Sequence, residues 1–382
     1  VAHAETNAEW RFSTVTGAGG VPLNVVETGT ASKPGILFVH GFSQSMLSWT
    51  AQLNDPQLHD NFHLVALDLR GHGNSGKPWQ SADYAPEVWA EDIAAVIAAT
   101  GLDKPVIVAW SFGGQVVMDY LRLRGTYEIA GLQLVGSVVR LEQPAATRTQ
   151  PDAEWVSNLL SSDFRANVRA LEYSVPRLTA TKMPDEWVAE TIKANLMMPV
   201  YVKKAIGVRT IDNADLADSL TIPVRFTSGT LDALIPPETI AAAATKLKRS
   251  SVLGYDGLGH APFAEKPAQF NLDLANFATE ANLAINPGTV FSDCDDCPEL
   301  VVIPTGDFLM GSNVGTEERD ESPVHTVNIT RAFAIGRYEV TNAQFAAFIA
   351  DTGHDTADGC NMFFPEDMEV RREPGVTWRD PG

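Results

Sequence analysis

The sequence predicts an α/β fold, with a mostly parallel sheet wrapped by helices on both faces. Three observations carry that expectation. Short apolar runs such as GILFVHG, FHLVALDLRGHG, PVIVAWSFGG, IAGLQLVGSV, IPVRFTSGT and SVLGYDGLGH show little alternation, as strands buried on both faces do. Between several of them lie helical patterns that end in glycine, EVWAEDIAAVIAATG and QVVMDYLRLRG. Strand and helix therefore alternate along the chain, which favours parallel pairing through crossover helices.

The individual elements follow in order. Trp10 to Glu27 reads as two short strands around the turn TGAGGVP. From about Glu142 to Leu220 no buried strand is predicted. The stretches WVSNLL, SDFRANVRALEYSV, DEWVAETIKANLMM and VYVKKAIGVRTI are amphipathic at helical spacing instead. This segment, about 142–220, is expected to be a small helical cap inserted between two strands. The helix AQFNLDLANFATEA closes the larger part, and Asn286-Pro287-Gly288 reads as a linker.

The chain has 382 residues, 45% hydrophobic and 20% charged, with a net charge of −20. A strong acidic balance argues against a nucleic-acid partner, because phosphate binding needs a basic face. No run of 18 or more apolar residues occurs, so no membrane span is expected. From Ala284 onward 18 acidic residues face 6 arginines and no lysine, a net of −12, which leaves −8 for the first 283 residues. That shift marks a boundary near Pro287. The expected division is a larger domain over 9–284, a linker over 285–290 and a second module over 291–382. The three cysteines, Cys294, Cys297 and Cys360, all fall in the acidic part. Cys294-x-x-Cys297 lacks the further ligands a zinc site wants, so a disulfide or free thiols are expected and no metal. Ala2-His3-Ala4 has the small-x-small form of a signal-peptidase site. If it is a signal remnant the location is periplasmic or secreted, and otherwise cytoplasmic.

The run AWSFGG raises a chemical question. Ser111 lies where a predicted strand gives way at once to a helix, and ligands bind beyond the carboxyl ends of such strands. A sharp turn there needs small residues two positions either side, and Ala109 and Gly113 supply them. The pattern A-x-S-x-G is a variant of the G-x-S-x-G nucleophile elbow. After the strand IPVRFTSGT comes Asp232, and after SVLGY comes His260 in GLGHAPF. The order serine, acid, histidine is the one this geometry requires. Ser111 would attack, His260 would take its proton and Asp232 would orient the imidazole. The backbone N–H groups of Phe42 and Phe112 would hold the oxyanion. Asp256 and Glu142 are rivals for the acid. Trp110, Met198 and Leu234 are expected to line the substrate pocket, and Met197 and Tyr201 in the cap are further candidates for it. His40 and His72 are expected to be structural, and Asp68 and Arg70 to form a structural pair.

These phrases, VHGFSQS, LDLRGHGNSGKP, AWSFGG, GTLDALIPP and GLGHAPF, resemble the α/β-hydrolase fold family over roughly Glu9 to Ala278. The resemblance is to small-capped serine esterases and to the cofactor-free haloperoxidase or perhydrolase branch. It implies hydrolysis of carboxylic esters of short to medium acyl chains through an acyl-enzyme, without a cofactor. Ala109 departs from the family's usual glycine. Serine at position 111 sets the chain apart from the dehalogenase and epoxide-hydrolase branches, which carry aspartate there. Perhydrolysis, lactone hydrolysis and C–C hydrolysis remain open on the same triad. A non-catalytic ligand-binding role remains open as well.

The acidic part resembles the formylglycine-generating-enzyme, or sulfatase-modifying-factor, family through IPTGDFLMGS, ESPVHTV and YEVTNAQFAAF. The resemblance covers the opening third of that family's domain, so an incomplete C-terminal module is expected, with none of its cysteines carried over as catalytic. A protein-modifying or interaction role through this segment is the remaining alternative.

Overall fold

A computed structural model describes residues 9–137, 139–141, 152–207, 212–285, 288, 290–292, 297–312, 323–329, 333–354, 359–364, 368–373 and 375–379. Ala2-His3-Ala4, Glu142 and Cys294 lie outside the described residues. The chain divides into two compact units, residues 1–282 and 283–382.

Unit 1 is built on an eight-stranded sheet of order β1-β2-β4-β3-β5-β6-β7-β8. The strands are β1 (Arg11–Thr16), β2 (Pro22–Gly29), β3 (Gly35–Val39), β4 (His63–Leu67), β5 (Val106–Trp110), β6 (Gly131–Val135), β7 (Val224–Gly229) and β8 (Ser250–Tyr255). β1 pairs antiparallel with β2, and β2 antiparallel with β4, while every pairing from β4 to β8 is parallel. β3, β4, β5 and β6 are buried at every position, which is why their sequences show no alternation. β8 departs from the expectation of a strand buried on both faces. It is the last strand of the sheet, and Ser251, Val252 and Gly254 are exposed.

Short helices α1 (Thr50–Leu53) and α2 (Pro56–Asn61) follow β3. Helix α3 (Pro86–Thr100) opens with proline at its first turn and ends at Gly101, whose φ of 68° suits a residue without a Cβ. It packs against α4 (Phe112–Arg124). Between β6 and β7 stand the cap helices α5 (Ala153–Leu159), α6 (Phe164–Ser174), α7 (Asp185–Leu196) and α8 (Val200–Gly207). Leu159, Ala170, Leu171 and Val175 form a separate small core within the cap, with Trp155, Trp187 and Phe42 packed against it. Helices α9 (Pro237–Ala244), α10 (Pro262–Glu265) and α11 (Pro267–Ile285) complete the unit. No helix among the described residues is long and apolar enough to cross a membrane.

The expected Asp68–Arg70 pair does not form. Asp68 accepts N–H bonds from Met46 and Asn74 at 2.7 and 2.8 Å, and a side-chain bond from Asn24 at 2.9 Å, so its oxygens are already engaged. The fully buried Arg70 turns to Asp92 on α3, with Nε and Nη2 donating at 2.6 and 2.8 Å. Its remaining donors reach the carbonyls of Asp83 and Ala18 at 2.9 and 2.8 Å. A forked guanidinium finds a bidentate partner across the sheet–helix interface that its near neighbour cannot offer.

In unit 2, strands Val290–Phe291, Leu300–Ile303 and Phe333–Gly336 make one small sheet, and two further antiparallel pairs join Gly306–Met310 with His325–Ile329 and Cys360–Phe364 with Glu369–Glu373. A helix over Asn342–Thr352 carries a capping box between Thr341 and Gln344. Cys297 is disulfide-bonded. Val302 is buried, whereas Phe308, Leu309, Met310, Tyr338, Val340 and Phe363 are exposed.

Arg70 and Asp92 yield a stability prediction. Asp92→Ala strands a buried cation, so the unfolding free energy should fall by about 3–5 kcal/mol. Urea titration of the variant against the parent checks it, and a loss below about 1 kcal/mol would show that the pair carries little.

Candidate active site

The site begins with the backbone of Ser111. At the junction of β5 and α4 it adopts φ 52° and ψ −118°, a conformation that non-glycine residues rarely take. Its N–H donates to Val135 O at 2.8 Å on β6, and its carbonyl accepts from Ser137 Oγ at 2.9 Å. The two glycines that follow let the helix start at once. A Cβ on Gly113 would lie 2.6 Å from Val39 O and 2.7 Å from His40 O, and one on Gly114 would lie 2.5 Å from Ser137 Oγ. Only a bare backbone fits between β3 and β6 here.

His260 and Asp232 meet at the ends of the last two strands. The Nδ1–H of His260 donates to Asp232 Oδ2 at 2.7 Å, with both side chains buried. Asp232 Oδ1 accepts the N–H groups of Leu234 and Ile235 at 2.8 and 2.9 Å, which fixes the carboxylate. With Nδ1 committed, Nε2 is left as the basic atom of the ring. Asp256 is exposed and accepts from Thr230 Oγ1 at 3.2 Å, so it does not meet the imidazole.

Two residues that sequence reasoning passed over shape this pairing. Gly136, just past β6, has φ 51°, and a Cβ there would sit 2.8 Å from His260 Nδ1 and 3.3 Å from Asp232 Oδ2. Glu265 holds the histidine loop. Its Oε1 accepts Gly259 N at 2.7 Å, while Oε2 accepts the N–H groups of Ala180 and Thr181 at 2.9 and 2.8 Å, beside the cap. The glycine of LVGS was visible as a residue after a strand, but nothing in the sequence places it against a histidine 124 positions later.

The loop after β3 approaches from the other side. Gly41 comes so close that a Cβ would lie 3.2 Å from Ser111 Cβ and 3.2 Å from Trp110 Cε3. This brings the backbone of Phe42 beside Ser111. The Phe42 and Phe112 rings meet edge to face at 6.3 Å. Ser43, at φ 63°, donates from Oγ to Asn195 O on α7 at 3.1 Å and so ties this loop to the cap. His40 Nδ1–H donates to Gly41 O at 2.8 Å and its Nε2 accepts Leu69 N at 3.0 Å. Burial lowers the pKa of His40 to about 4 and that of His72, also beside His40, to about 3, so both rings are neutral near pH 7.

Ser111 and His260 open onto one cavity of about 420 Å³, floored by Gly41, Phe42 and Trp110 and roofed by cap residues including Trp155, Leu159 and Leu171. Trp110 and Leu234, two of the pocket candidates, are among its lining residues. Met198 does not. It is 2% exposed and packs into the main core with Val202 and Ile206, because its position at the α7–α8 turn faces the sheet rather than the cavity. Met197 faces a different cavity, and Tyr201 packs against Trp79 at 4.2 Å with the rings tilted by 41°, its hydroxyl donating to Lys77 O.

An alpha/beta hydrolase family model matches residues 36–274, well over half of the chain. The chain belongs to the α/β hydrolase family. A bifunctional esterase/perhydrolase from Acinetobacter calcoaceticus is 27% identical over 275 residues, covering 69% of this chain and 98% of that protein. Among solved structures, a candidate aryl esterase from Burkholderia cenocepacia shares 33% identity with a TM-score of 0.67, covering 71% of this chain and 99% of its own. An esterase from Rhodococcus sp. ECU1013 shares 28% with a TM-score of 0.64, covering 71% and 99%. Residues 286–381 match a sulfatase-modifying factor enzyme 1-like domain. The chain is thus a hydrolase of this family followed by a sulfatase-modifying-factor-like module.

The geometry around Gly136 makes a test. Gly136→Ala should drive its Cβ into the imidazole and lower kcat/KM on a p-nitrophenyl ester by about a hundredfold, the scale of a 1 Å misplacement. Thermal melting should fall far less. Near-parent turnover in the folded variant would show that the ring position does not matter to the reaction.

Proposed function

We propose that the protein is a serine hydrolase of carboxylic esters, with Ser111, His260 and Asp232 as nucleophile, base and orienting acid. The observation that carries this reading is the buried His260–Asp232 hydrogen bond facing the cavity onto which the strained Ser111 also opens. Nε2 of His260 takes the proton of Ser111 Oγ as the oxygen attacks the ester carbonyl. The N–H groups of Phe42 and Phe112 receive the resulting oxyanion. Collapse expels the alkoxide, which leaves as alcohol with the proton from His260. Water then repeats the sequence on the acyl-serine, releasing the acid and restoring the hydroxyl.

The apolar lining of the cavity suits esters with short to medium acyl chains, since each buried methylene is favoured by about 0.8 kcal/mol. A second reading, perhydrolysis, is favoured by the relative from Acinetobacter calcoaceticus, which is named for both activities. There hydrogen peroxide would replace water on the acyl-enzyme and release a peracid. An ester panel run with and without peroxide, with peracid measured directly, separates the two.

Ser111→Ala should abolish ester turnover, by on the order of a million-fold in kcat, while leaving the melting curve unchanged. A fluorophosphonate probe should label the parent and not the variant. Turnover near the parent level would end the proposal.

We further propose that residues 9–284 hold the complete ester-cleaving apparatus, that 285–290 link, and that 291–382 form a separate module. Every residue named in the reaction precedes Ala284. A chain ending at Ala284 should keep kcat/KM within about threefold of the full chain. A loss beyond about tenfold, or roughly 1.4 kcal/mol of transition-state stabilisation, would show that the acidic module completes the site.

A further inference from the structure

A second cavity of about 470 Å³ also borders Trp110. Trp10, Leu47, Trp187, Met197 and Phe263 supply most of its surface, with Glu190, Thr191 and Lys193 at its polar side, and Trp110 and Gln44 line both cavities. The two spaces are therefore neighbours, and the shared wall is the residue adjacent to the candidate nucleophile. Trp110 is 2% exposed and held from three sides. Its Nε1–H donates to His260 O at 2.9 Å, its ring meets Phe263 edge to face at 4.9 Å, and the imidazole of His260 lies at 5.6 Å. A wall so anchored does not yield to a substrate as a free side chain would.

We infer that Trp110 is the specificity-determining partition of the site: it limits one limb of the ester to the first cavity, and the second cavity is an apolar subsite for longer limbs that the indole closes off. The inference rests on the serine-hydrolase reading above. A largely apolar space of comparable size next to the reacting centre is the right chemistry for an extended acyl or alkyl chain. Gln44 completes the partition from the loop that carries Phe42. It is buried, and its Oε1 accepts a long bond from Ser48 Oγ at 3.5 Å, so it fills space in the wall between the cavities.

The test compares parent, Trp110→Ala, Trp110→Phe and Gln44→Ala on two series of esters, one lengthened on the acyl side and one on the alcohol side. Each methylene newly buried is favoured by about fourfold. In Trp110→Ala the ratio of kcat/KM for a chain four methylenes longer to that for the short ester should therefore rise by at least about tenfold in one of the series. Trp110→Phe keeps most of the wall but loses the bond to His260 O, so its absolute rate should fall with the length ratio unchanged. Gln44→Ala should move the ratio the same way as Trp110→Ala, by less, and carries the test if Trp110→Ala does not fold. A uniform loss across both series in Trp110→Ala, with fluorophosphonate labelling of Ser111 retained, would overturn the partition. Failure of the parent itself to label would instead overturn the serine-hydrolase reading.

Discussion

The backbone of Ser111 is the constraint on which the site depends. A residue with a Cβ at φ 52° costs on the order of 1–3 kcal/mol. It persists because the surroundings leave no alternative. The N–H is taken by β6, the carbonyl by Ser137, and α4 is pressed against the carbonyls of Val39 and His40 where only Gly113 fits. Were the helix to start one turn later, Ser111 would be a strand residue facing the core. The glycines, the following helix and a hydroxyl that opens onto the cavity are consequences of one crowded junction.

The cap is tied to both sides of that junction. Ser43 holds the Phe42 loop to the carbonyl of Asn195, and Glu265 holds the histidine loop to Ala180 and Thr181. Phe42 itself packs against the cap's separate core. A movement of the cap would be felt by the proposed oxyanion donor and by the proposed base together. This coupling follows from where the cap makes its bonds, to the loop after β3 and to the loop after β8.

The strand ends were legible from sequence because each ended in a chemically distinctive residue. Ser111 followed VIVAW, Asp232 followed RFTSGTL, and His260 sat between Gly259 and Ala261. The sheet order was not written there in the same way, but alternation of buried runs with helices implied parallel pairing. Contacts between distant segments were out of reach. Asp68 and Arg70 are two residues apart and opposite in charge, which suggested a pair. Their actual partners are backbone N–H groups and a helix residue that arrives from 22 positions on. Met198 failed for a related reason: an apolar cap residue can face core or cavity, and only the turn between α7 and α8 decides it. Gly136 and Glu265 gave no local signal, since their effect is to leave or fill space beside residues remote in sequence.

The position of the imidazole follows from a row of rings rather than from its own loop alone. Trp49 packs on Phe263 at 4.5 Å, Phe263 meets Trp110 at 4.9 Å, and Trp110 both faces His260 and donates to its carbonyl. Phe263 comes three residues after His260, so the same loop supplies the ring that anchors it. These aromatic bodies are dense and their rotamers are fixed by packing, so they transmit position with little slack. On the opposite side Gly136 leaves just the clearance that the pair of Asp232 and His260 occupies. A buried charge-bearing pair needs such a fixed setting, because in a dry site its hydrogen bond is strong only while the geometry holds. The aromatic row and the missing Cβ thus act together: one anchors the loop that carries the ring, and the other leaves the ring its room.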